Sequence, residues 1–226
     1  MRTGTVISPN QDSKRRQIIE AAREVLARDG LAGCTARAVA DASPLTKSAI
    51  NYYFASMDEI IDLAVAAHVE AMLVALRQVA RQHRDPYRRL HAVVQAYLDT
   101  FADQPHAAYL WFEYWIAASR RQAPAPVAAM LDAVRDLLSE LLTQLPDTTG
   151  RPGPDPGPAA NALLSWLLGS IVQQQVHPLA PAILAAEIDR LCRLAPRASR
   201  RMDSRARRAR TRWDISYGEV HAPDLR

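Results

Sequence analysis

The sequence predicts an all-α protein of about nine helices, three in an N-terminal unit and the rest in a larger domain behind it. Apolar residues recur at helical spacing over most of the chain, and nowhere do they alternate as in a strand. Only eight glycines interrupt a composition rich in Ala, Leu and Arg, residues that favour helix.

Each element has its own signal. Ile18, Ala22, Val25 and Leu26 set a first helix over residues 13–28, and Asp29-Gly30 stops it. Thr35 caps a short second helix to about residue 42, which Ser43-Pro44 breaks. Thr46 caps an equally short third, to about residue 53. Ser56-Met57-Asp58-Glu59 forms a capping box, with the Ser56 hydroxyl accepting from the Glu59 N–H and the Glu59 carboxylate accepting from the Ser56 N–H. A long fourth helix runs on to about residue 82. Leu90, Val93, Val94, Tyr97, Leu98 and Phe101 line one face of a fifth, and Gln104-Pro105 ends it. The aromatic run "YLWFEYWIAA" makes a sixth, and Val127 to Leu145 a seventh. "LPDTTGRPGPDPGP", residues 145–158, has the composition of a flexible linker. Helices over 159–175 and 181–194 complete the count.

Composition narrows the function. At 226 residues the chain can bury a substantial core. No apolar leader opens it, and its longest nearly apolar stretch, 159–172, falls short of the roughly 20 residues that span a bilayer. The expectation is a soluble cytoplasmic protein without a membrane partner. Cys34 and Cys192 stand far apart and form neither a metal nor a redox spacing. The six histidines are scattered, and no nucleophile elbow, phosphate loop or zinc-protease motif occurs. No catalytic residue, metal or cofactor is therefore expected. Net charge is +4, yet residues 197–212 hold eight Arg and one Asp, a local +7 that leaves the remainder negative. That basic end adds nonspecific DNA affinity by counterion release, or is simply a solvated tail.

Two helices of barely two turns bury little core by themselves. Around a tight turn they have the dimensions of a helix-turn-helix, whose second helix enters the DNA major groove. Val39, Leu45, Ile50 and Phe54 face inward in that arrangement, leaving Lys47, Ser48, Asn51 and Tyr52 outside. Asn51 either reads an adenine edge bidentately or bonds a phosphate or water.

The segment "TARAVADASPLTKSAINYYFASMDEI", with the helix before it, resembles the DNA-binding domain of the TetR family of one-component transcriptional repressors. Thr35, Arg37, Val39, Ala40, Leu45, Thr46, Ile50 and Phe54 carry the likeness, over about residues 13–66. Pro44 stands at the family's turn glycine, Asn51 at its phosphate-contacting Tyr and Met57 at its phosphate-contacting Lys. Tyr52 or Tyr53 can replace the first contact with a hydroxyl. The resemblance implies a DNA-binding domain at 13–56, a ligand and dimerisation domain at 57–195 and an Arg-rich tail at 196–226. It also implies a homodimer on a palindromic operator, released by a small-molecule effector, with Arg37, Thr46, Lys47, Ser48, Asn51, Tyr52 and Tyr53 at the DNA. "YLWFEYWIAASR" is similar to the branch that includes betaine-synthesis regulators.

Trp111 and Trp115 lie four residues apart, so they share a face, and they either pack the core or line the effector cavity with Phe112, Tyr97, Phe101, Met72 and Leu76. Glu113, if inward, pairs a cationic ligand beside aromatic faces. Leu163, Trp166, Leu167, Ile171, Leu184, Ile188 and Leu191 make the last two helices apolar beyond what one side buries. Either they close the core of their own chain, or, as such a pair does in the family, they pack on a symmetry mate as a four-helix bundle. Two other classes stay open: a helical adaptor that binds only proteins, and an enzyme whose site is assembled from distant residues.

Overall fold

The computed structural model describes residues 9–102, 105–145 and 155–177, together with Ile183, Ala186, Glu187 and Arg190. Among the described residues there are eight helices and no strand: α1 (Pro9–Gly33), α2 (Ala36–Asp41), α3 (Lys47–Tyr53), α4 (Met57–Arg81), α5 (Pro86–Ala102), α6 (Pro105–Arg120), α7 (Ala125–Thr143) and α8 (Pro156–Gln174). The expected ninth helix falls, but for those four positions, outside the described residues, and so do Leu184, Ile188, Leu191, most of the expected linker and the basic tail.

Local chemistry sets the helix ends. α1 breaks where Asp29-Gly30 predicts a stop, because Gly30 sits at φ 71°, ψ −172°, a conformation that only glycine adopts without strain. One further turn follows to Gly33. Thr35 and Thr46 cap α2 and α3, each hydroxyl oxygen accepting at 3.2 Å from the N–H three residues on. Between them Ser43 locks the turn, its hydroxyl oxygen accepting from the Leu45 N–H at 3.2 Å. The cap of α4 differs from expectation in one bond. Ser56 Oγ accepts from the Glu59 N–H at 3.2 Å, but the Glu59 carboxylate accepts from the Ala55 N–H at 3.0 Å, one residue earlier, because its other oxygen is held by Arg15 of α1. α8 starts at Pro156, earlier than expected, since proline fits a first turn whose N–H groups have no helical partner.

Packing makes one continuous core. Ile18, Ala22 and Val25 of α1, fully buried, receive Val39 of α2 and Ile50 of α3, with Phe54 closing over them. α1 also lies against α4 and α6. Behind it α5 is central, touching α4, α6, α7 and α8, and α7 pairs along α8. This pairing corrects one expectation. Leu163, Leu167 and Ile171 are buried inside their own chain, 2% exposed or less, because their helical phase turns them to α7 and α5. The opposite face of α8 carries Trp166, partly buried, then Gly169 and the exposed Val172 and Val176.

Candidate DNA interface and ligand cavity

The outer face of α3 is polar and unencumbered. Thr46, Lys47, Ser48, Asn51 and Tyr52 are exposed, Tyr52 to 74%. Arg37 of α2 is exposed beside them, its guanidinium 3.9 Å from Asp41, a separation that ties neither down. The Thr46 oxygen serves as the cap of α3, which leaves its hydroxyl hydrogen free to donate. Tyr53 differs from the rest: it is half-buried, packed on the core, and meets Tyr52 edge to face at 5.1 Å. A helix of seven residues holds such a surface steadily only if something fixes both its ends.

The fixing residue at the far end is Arg15, which nothing local in the sequence marks. From α1 its guanidinium donates to the Tyr53 carbonyl at the end of α3. It also donates to Glu59 in the first turn of α4 at 2.9 Å and lies over the Phe54 ring at 4.1 Å. Three helices are thus joined through one side chain. The Arg15 hydrogen bond, aided by the Ala55 N–H, holds the Glu59 carboxyl below its ordinary range.

A second polar cluster joins α4 to α6. Tyr114, fully buried, donates its hydroxyl to Asp62 Oδ1 at 2.8 Å. Arg121 reaches the same oxygen at 2.9 Å and Asp58 at 3.3 Å. Its place follows from how α6 ends. Gln122 adopts φ 55°, and the N–H groups of Gln122 and Ala123 close on the carbonyls of Ser119 and Ala118, each at 3.0 Å. That Schellman turn leaves Arg121 as the C-cap, directed at the first two turns of α4. Asp62, first among its causes, raises the Arg121 pKa; burial, then Asp62, raises that of Tyr114.

One turn before Tyr114, Trp111 borders an apolar cavity of about 50 Å³ between α4, α5, α6 and α7. Of the expected ligand residues, Met72, Tyr97, Phe101 and Trp111 line it. The other four do not. Leu76 is buried in the core one turn beyond Met72, and Glu113 is exposed. Phe112 and Trp115 border a shallow external groove with Ile116 and Ser119. α6 therefore turns two different faces to the two regions, and Trp111 and Trp115 lie on opposite sides of the boundary. Missed by the sequence reading were His68, which stands exposed at the cavity rim, and Val65, Met130 and Val134 within it. His68 lies four residues before Met72, a spacing that puts both on one face of α4. Partial loss of water where its ring meets the rim, then Arg23, lowers its pKa. Cys34 is buried, which pushes its thiol up to about 11 and leaves it a small packing group.

Known proteins match along this architecture. Residues 18–64 match the bacterial regulatory proteins of the tetR family, and residues 86–194 match the C-terminal part of BetI-type transcriptional repressors. The HTH-type transcriptional activator FasR of Mycolicibacterium smegmatis is 30% identical over 132 residues, 57% of this chain and 60% of its own length. The HTH-type transcriptional regulator BetI of Burkholderia cenocepacia is 25% identical over 183 residues, 77% of this chain and 91% of its own. The chain spans between half and two thirds of the length of FasR. Among solved structures, the multidrug binding protein EbrR complexed with proflavin has a TM-score of 0.59 at 24% identity, over 79% of this chain and 99% of that one. At that identity the likeness is one of fold.

Proposed function

Because the chain belongs to the tetR family of transcriptional regulators, with a helix-turn-helix at its N-terminus and a BetI-type domain behind it, we propose that it is a ligand-released repressor that grips a palindromic operator as a homodimer. The observation that carries this reading is the polar, exposed face of α3, held from behind by Arg15 to the helix that borders the cavity. Lys47 and Arg37 supply phosphate contacts, Thr46, Ser48, Tyr52 and the Tyr53 hydroxyl supply hydrogen bonds to the backbone, and Asn51 reads a base edge.

Release follows from the contacts of α6. The cavity is far smaller than the roughly 300–1,000 Å³ of a site for a drug-sized ligand. A ligand therefore enters by displacing wall side chains such as Met72, Met130 and Trp111. Displacing Trp111 moves α6, and α6 holds Asp58 and Asp62 through Tyr114 and Arg121. The first turns of α4 shift with it, and Arg15 passes the shift to α3. Two recognition helices in a dimer must match half-sites set by the DNA repeat, so a modest shift lowers affinity. EbrR, a protein of the same fold, carries proflavin in its structure, which supports a ligand cavity as a property of this architecture.

The dimer is supported by the outward face of α8. Gly169 weakens the middle of a helix, yet a Cβ there would meet no described residue of its own chain within 4 Å. Between Trp166 and the exposed Val172 and Val176, it suits close approach by a second α8. The repressor sense follows the description of the C-terminal match, and FasR, an activator, represents the other.

The test is selection of bound sequences from random duplexes, with sedimentation of the free protein and a reporter for the sense of regulation. An enriched palindrome and a dimer are expected. No enriched sequence, or a monomer at micromolar concentration, contradicts the reading.

A further inference from the structure

The chemistry of the cavity lining points to the class of molecule that occupies it. Tyr97 lies in the wall, only 6% exposed, its ring edge-on to Phe101 at 5.3 Å. Its hydroxyl has no hydrogen-bond partner among the described residues. Burial pushes that phenol up to about 12, so at neutral pH it stays a protonated donor. The hydroxyl oxygen keeps some contact with solvent, and a ligand that displaces that water must offer an oxygen to accept in its place. The indole N–H of Trp111, also in the wall, is a donor only.

Charge selects among such ligands. No described residue that lines the cavity is acidic, and Glu113, which would have balanced a cation, is exposed outside it. An organic cation would find aromatic faces but no counter-charge. An anion fares no better. His68 at the rim has its protonated form disfavoured, and the neighbouring Arg23 is already paired with Glu20 at 2.7 Å. What the lining matches is an uncharged body with one strong acceptor.

We propose that the occupant is a neutral, mainly apolar molecule bearing a carbonyl oxygen that accepts from the Tyr97 hydroxyl. This rests on the effector-cavity reading above and narrows it, setting aside the cationic ligand that the sequence had made attractive. Met72 and Met130, flexible thioethers, are the wall residues best able to move aside for it.

The test uses probes with one aromatic skeleton and different charge: naphthalene, acetylnaphthalene, naphthoate and naphthyltrimethylammonium, measured by equilibrium dialysis against the full chain. Acetylnaphthalene is expected to bind about tenfold more tightly than either charged probe. In Tyr97→Phe its affinity falls about five- to tenfold, the loss typical of one hydrogen bond, while that of naphthalene holds. Equal or tighter binding of the ammonium probe overturns the proposal, and so does an unchanged acetylnaphthalene affinity in Tyr97→Phe. If no probe binds at all, naphthalene included, the cavity reading itself fails and takes this inference with it.

Discussion

The helices α3 and α6 carry the two halves of the proposed function and are held in place by opposite means. α3 has seven residues and shows most of its side chains to solvent. Only Ile50 and its C-cap Phe54 are buried, and its position comes from the Thr46 cap and Arg15. α6 is held by packing: Ala108, Tyr114 and Ala118 are fully buried and Trp111 forms a cavity wall. A surface meant to meet a large polar partner cannot be positioned by burying it. A wall meant to admit an apolar ligand must be buried and must also give. Substitutions in α3 should therefore alter binding and spare the fold, while those in α6 should alter both.

The largest effect falls on α6. Tyr114→Ala removes a buried aromatic ring and strips Asp62 of one donor, and thermal or denaturant unfolding should show a loss of about 3–5 kcal/mol. Tyr114→Phe keeps the ring and should cost far less, while weakening the grip of α6 on α4. If Tyr114→Ala melts like wild type, packing does not hold α6. In α3, Asn51→Ala should cost about 1–3 kcal/mol of operator binding at particular base positions, and Lys47→Ala should weaken all sequences alike and lower the salt slope by about one. Neither should change the unfolding midpoint. A shifted midpoint would erase the contrast between the helices.

How far the contrast was legible beforehand depended on the range of the interactions. The caps Thr35, Thr46 and Ser56 act within three residues, so α2, α3 and the start of α4 could be placed from adjacent letters. The exposed set Lys47, Ser48, Asn51 and Tyr52 followed from helical phase once Ile50 was inward. Arg15 and Glu59 stand 44 positions apart, and Tyr114 and Asp62 52 apart, and no spacing rule joins them. The aromatic helix misled for a related reason. Nearly every residue from Leu110 to Ile116 is large and apolar, so its inner face had no polar border to mark it; Phe112 and Trp115 were expected at a cavity they do not line, and Glu113, open to either side, is exposed. The same uniformity hid the phase of α8, where Leu163, Leu167 and Ile171 point to α7 and α5 and the outward stripe is the less apolar one.

Smaller effects sharpen the comparison further. Arg15→Ala removes the tie at the end of α3. Because its side chain and that of Glu59 are partly exposed, the loss should be about 1–2 kcal/mol. Hydrogen exchange should place it in α3 and the first turn of α4, with α6 protected as before. Acid should produce a fainter version of the same loosening. The Glu59 carboxyl has its pKa lowered from 4.5, chiefly by Arg15. A lowered carboxylate contributes stability that is complete above its ordinary value and lost as pH falls through the lowered one. Unfolding followed from neutral pH to below 4.5 should therefore show wild type losing more than Arg15→Ala. Parallel curves would remove Arg15 as the cause.

The central claim is that the wall around Trp111 and the face of α3 belong to one coupled device, and reciprocity tests it most directly. Acetylnaphthalene affinity is measured with and without the selected operator duplex, and operator affinity with and without the probe. Linkage requires the two factors to be equal, and both should show weakening. Tyr114→Phe should shrink both factors together. A probe that binds the cavity with the same affinity whether or not operator is present would contradict the account.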